Sequence, residues 1–150
     1  MRHPAPRPSI AKAFLALALT DIFLFMLGDT LQTIATIRNG GRAWIDGDWW
    51  LMLLVLFPIL LAPATLCGLL AHVLLRNRLT CRALSVLAPL VGGLATGGFL
   101  LLIAIADDYF TRRGSEHLYA LAGFAAGALW GAIYAALLLR RNPTVRHPRA

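Results

Sequence analysis

Charge is scarce in this chain. Asp, Glu, Lys and Arg make up 14% of its 150 residues, against 59% apolar. A soluble domain of this length would not carry four apolar runs of about twenty residues each, the length that crosses the hydrocarbon of a bilayer. Short segments of alternating polarity are missing too, which excludes a transmembrane β-barrel. Cysteine is limited to Cys67 and Cys81. They form no CxxC pair and have no metal-ligand spacing around them, so neither a disulfide framework nor a zinc site is expected. No low-complexity stretch or linker divides the chain, so residues 1–150 are expected to form one four-helix transmembrane domain.

What remains is a membrane protein in outline. The first twelve residues, MRHPAPRPSIAK, are basic and proline-rich. They resemble the positive end of a signal peptide. The apolar stretch that follows is too long for one, and no A-x-A cleavage site closes it. It is expected to be an uncleaved first span over about 11–37. Further spans are expected at about 49–75, 83–106 and 118–139, with basic tails over 1–10 and 140–150. Trp44, Trp49 and Trp50 suit an aromatic belt at headgroup level. Pro58 and Pro63 lie inside the second span and free the carbonyls of Leu54 and Ile59. A kink re-satisfied by neighbours is the expected result, rather than a broken-helix site.

The basic residues suggest an orientation. The N-terminal segment, the turn at 76–82 and the C-terminal tail hold three, three and four Lys or Arg and no acid. The other two loops hold four Arg and five acids. The positive-inside rule then places both termini in the cytoplasm, with the spans forming two antiparallel hairpins. A net charge of +7 thus orients the protein and does not call for nucleic acid.

Polar residues inside the spans are few, and most lie in the first. Asp29, Gln32, Thr33 and Thr36 follow the i, i+3, i+4, i+7 spacing and share one stripe of a helix. Asp21 lies about 80° around from Asp29 and roughly 12 Å along the axis. An acid at bilayer depth costs roughly 2.5–3.5 kcal/mol on insertion scales, so it normally faces other helices or water. Asp21, with Thr65, Trp130 and Tyr134 expected at its depth, is either a proton or ion site or a packing acid. Asp29, nearer the far end, belongs with Asp21 and Thr65 to the candidate intramembrane proton or ion site, although the favoured expectation for it is an interfacial carboxylate within reach of water, Arg38 or Arg42. In the fourth span, Gly123, Gly127, Gly131 and Ala135 recur every four residues. Gly93 and Gly97 lie in a small-residue cluster of the third, and both sets are expected to let helices approach closely.

Catalytic sets are missing. Two carboxylates 12 Å apart do not form a dyad, and no Ser–His or Cys–His pair is expected at one depth. His72 and His117 are expected near opposite membrane faces as interfacial side chains, which also argues against a bis-histidine haem. The quinone-linked CxxC, the paired aspartates of lipoprotein signal peptidases and the embedded glutamate of small multidrug transporters are all missing. The sequence therefore points to a multi-pass, bacterial-type inner-membrane protein with no enzymatic activity, metal or cofactor. Its expected role is accessory or interaction subunit, partnered by the bilayer and by other membrane subunits or further copies of itself. The alternative is a small proton- or cation-coupled carrier or channel using Asp21.

Reporter fusions check the orientation. Fusions at Arg42 and Gly114 are expected to report periplasm, and one after Arg141 cytoplasm. A periplasmic signal from the last would contradict four spans.

Overall fold

A computed structural model describes residues 6–40, 49–75, 79–106 and 116–140 of the protein. These form four helices: α1 (Ile10–Arg38), α2 (Trp49–Leu75), α3 (Cys81–Ala106) and α4 (Glu116–Leu139). Each contains a stretch long and apolar enough to cross a membrane, and there is no strand among the described residues. In a medium without water every backbone polar group must be satisfied internally, which a helix does within one segment. The observed bounds differ from the sequence expectation by two residues at most. Cys81, expected in a loop, is the first residue of α3.

Local chemistry sets several helix ends. Ser9 caps α1, its hydroxyl accepting from the Lys12 amide at 3.4 Å. Thr80 caps α3 in the same way through the Ala83 amide at 3.2 Å. At the far end of α1, Asn39 and Gly40 turn the chain out of the helix. Gly40 has φ +68°, a conformation that a side chain would strain. Helix α2 continues through Pro58 and Pro63, and α3 through Pro89.

Four contacts run around the group, α1–α2, α2–α3, α3–α4 and α4–α1, and a fifth joins α2 to α4 across the middle. The α3–α4 contact is the most extensive, and α1 and α3 do not touch.

Glycine explains why α3 and α4 come so close. A Cβ built at Gly127 would collide with the Gly92 carbonyl, and one at Gly92 with the Gly127 carbonyl. One at Gly131 would strike the Ala88 carbonyl. At Gly97 it would lie 2.9 Å from the Ala120 oxygen, at Gly123 3.0 Å from the Thr96 oxygen, and at Gly93 3.0 Å from the Phe124 oxygen. Here the backbones themselves are in contact, a geometry that favours weak Cα–H···O bonds. Lipid tails are as apolar as leucine, so close contact of this kind takes the place of the hydrophobic effect between helices.

Gly98 lies one residue beyond this seam and meets nothing within 4 Å. Gly127→Leu is therefore expected to destabilise by about 1–3 kcal/mol through overpacking. Gly98→Ala is expected to be neutral or to stabilise by up to about 1 kcal/mol. Thermal melting in detergent checks both.

Candidate functional site

Trp130, Tyr134 and His72 gather where α1, α2 and α4 meet. On α4, Trp130 and Tyr134 are one turn apart and stack, with ring centroids 5.3 Å apart and planes 9° from parallel. On α2, Gly68 and His72 have the same spacing and pair with them. A Cβ at Gly68 would lie 2.5 Å from the Trp130 ring. The His72 ring meets Tyr134 edge-on, with centroids 5.9 Å apart. The missing side chain at Gly68 makes room for the indole, and the next turn places the imidazole against the phenol.

Hydrogen bonds tie this cluster to α1. Trp130 Nε1–H donates to the Ala13 carbonyl at 3.3 Å. His72 Nε2 lies 3.0 Å from the Pro6 carbonyl, and Nδ1 lies 3.0 Å from the Tyr134 hydroxyl. A carbonyl can only accept, so Nε2 carries a hydrogen, and in the tautomer protonated there alone Nδ1 accepts from Tyr134. A backbone hydrogen bond from Ser9 reaches the same hydroxyl. One turn further along α4, Lys12 Nζ donates to the Leu137 carbonyl at 2.8 Å. A cation thereby meets a carbonyl in the last turn of α4, where the helix dipole favours positive charge. The segment before α1 is held to the bundle through these bonds.

His72 is the main departure from the sequence expectation. It is 2% exposed, not interfacial, and sits inside the bundle. Its partners lie 62 and 66 positions away, out of reach of any local pattern. The matching four-residue spacings of Gly68–His72 and Trp130–Tyr134 were the available signal.

Asp21 is also placed differently from the expectation. The Trp130 indole bonds at Ala13, eight residues or about 12 Å before Asp21, and Tyr134 bonds His72. Asp21 is half-buried, and its Oδ1 is fully enclosed without a hydrogen-bond partner. Asp29 is exposed, as is Arg38; Arg42 lies outside the described residues. Thr65 is buried, but its hydroxyl donates to Leu61 of its own helix at 3.1 Å. Thr20, Thr30 and Thr33 turn back to the carbonyl four residues earlier in the same way. No hydrogen bond joins Asp21, Asp29 and Thr65 among the described residues. Thr96 is buried on the α3–α4 seam beside Gly127, its hydroxyl oxygen also without a partner.

Among the described residues no three His, Cys, Asp or Glu side chains come together to hold a metal ion. The cavity beside His72 and Tyr134 has about 10 Å³, roughly the space of a single water. The cluster is suited to joining helices rather than to holding a substrate. Comparison of the chain with protein-family models, curated proteins and solved structures finds no match.

Tyr134→Phe removes the donor to a buried imidazole nitrogen and is expected to cost about 1–3 kcal/mol of stability. Chemical denaturation in mixed micelles checks this, and an unchanged midpoint would contradict the bond.

Proposed function

We propose that the protein is a small accessory subunit of a bacterial-type inner-membrane assembly, without enzymatic activity, which engages its partner through the second half of α1. One observation carries this reading. Ala13, Ala16 and Thr20 are buried in α1, and no residue from Asp21 to Arg38 is. The same half-helix carries Asp21, Asp29, Thr30, Thr33 and Thr36, of which Asp29, Thr30 and Thr33 are exposed. Polar and acidic side chains at membrane depth are costly against lipid and normally face protein or water. A second membrane helix laid along this stripe, from another subunit or another copy, would cover them.

In this reading the helices form two antiparallel hairpins with both termini in the cytoplasm. Support comes from the order of contacts: Gly92 meets Gly127 while Gly97 meets Ala120, and Pro6 lies against His72 near the end of α2. The basic residues supply the direction across the membrane.

The enclosed, unpartnered oxygen of Asp21 also favours a second reading, a proton- or cation-coupled carrier. Two experiments separate them. A photocrosslinking amino acid at Thr33 is expected to give a protein adduct of one defined mass in native membranes. One at Leu102, exposed on α3, is expected to give none. Lipid adducts alone at both positions would contradict the subunit reading. Under that reading, reconstituted protein carries no ion flux, and Asp21→Asn leaves the fold intact. Gradient-driven flux lost in Asp21→Asn but kept in Asp29→Asn would establish the carrier instead.

A further inference from the structure

A second feature lies on the opposite half of α1. Between the start of α1 and the second half of α2 runs a groove of about 550 Å³. Pro8, Ile10, Leu66, Cys67, Leu70 and Val73 line it, with no charged residue among them. From Leu66 to Val73 the α2 wall extends about 10 Å along the helix axis. It is an open, apolar groove on the face of two helices that are long and apolar enough to cross a membrane.

Charge marks one end of it. Arg7 directly precedes Pro8 and is exposed, and Lys12 lies one turn into α1. No Asp or Glu occurs in residues 1–20 or 49–106, so no carboxylate of either neighbouring stretch competes for these cations. An apolar groove with the exposed Arg7 beside its Pro8 end complements a molecule that joins a hydrocarbon chain to a negative charge. A zwitterionic lipid would match the groove and not Arg7.

We infer that this groove binds one anionic phospholipid, an acyl chain lying along Leu66–Val73 and the phosphate held by Arg7. The guanidinium forms paired hydrogen bonds to phosphate oxygens, and basic pockets between membrane helices are suited to such headgroups. Lys12 adds positive charge while its amine holds the Leu137 carbonyl. A bound lipid would therefore brace the same segment that His72 anchors through Pro6. This site is independent of the partner surface on the second half of α1.

Cys67, an exposed free thiol in the groove, permits a direct test. The full chain carrying Cys81→Ser is labelled with bimane at Cys67 and reconstituted in vesicles of equal phosphatidylglycerol and phosphatidylcholine. Bromine is placed on the chains of one lipid or the other at constant composition. Quenching is expected to be about fivefold more effective from brominated phosphatidylglycerol, the ratio given by roughly 1 kcal/mol for a basic residue near the surface. Arg7→Gln, an exposed substitution, is expected to bring the ratio close to one. Equal quenching by both lipids in the unsubstituted chain would overturn the site. A preference that survives in Arg7→Gln would overturn it as well, because the phosphate would not be held there. Insensitivity to bromine on either lipid, with Cys67–Cys67 crosslinking in unlabelled protein on oxidation, would assign the groove to a second copy and refute a lipid.

Discussion

All four helices meet at the side chain of Trp130. It is fully buried on α4, its ring covers the space left by Gly68 on α2, and a Cβ at Gly92 on α3 would lie 3.2 Å from it. Its N–H donates to Ala13 on α1. Association in lipid gains little from apolar burial and depends on close packing and hydrogen bonds. A large flat ring with a single donor supplies both, provided its neighbours give way. Gly68, Gly92 and Ala13 are small enough to do so. The α3–α4 seam and the Tyr134–His72–Pro6 chain extend outward from this point.

That arrangement makes the bundle uneven. Near Trp130, α1 is held by Ala13, Ala16, Lys12 and the segment before it. Beyond Thr20 no residue of α1 is buried, although its polar residues lie mainly in that half. The chain therefore anchors α1 firmly at one end and leaves its most polar stretch at the surface. This asymmetry connects the packing to the proposed role, a rigid core presenting one helix to a partner.

Four long apolar helices were legible in the sequence, their ends within two residues, because lipid demands about twenty apolar residues of each span and tolerates few charges. The regular spacing of Gly123, Gly127 and Gly131 was legible too, and these residues lie against the carbonyls of α3. How each helix turns about its axis was not. Helices apolar on every side carry little information about which face points inward. His72 looked interfacial because its position along α2 is readable while its rotation is not. Asp21 was matched with Trp130 for a related reason, since a shift of two helical turns between α1 and α4 leaves the apolar pattern unchanged.

The meeting of four helices at Trp130 is tested most directly by NMR of the protein in nanodiscs, with Trp, Gly and Ala selectively labelled. Nuclear Overhauser contacts are expected from the Trp130 ring to the α protons of both Gly68 and Gly92. The Trp130 indole N–H is expected to contact Ala13 and to be protected from exchange. Contacts from this ring to a single neighbouring helix, or an indole N–H exchanging freely with solvent, would contradict the account.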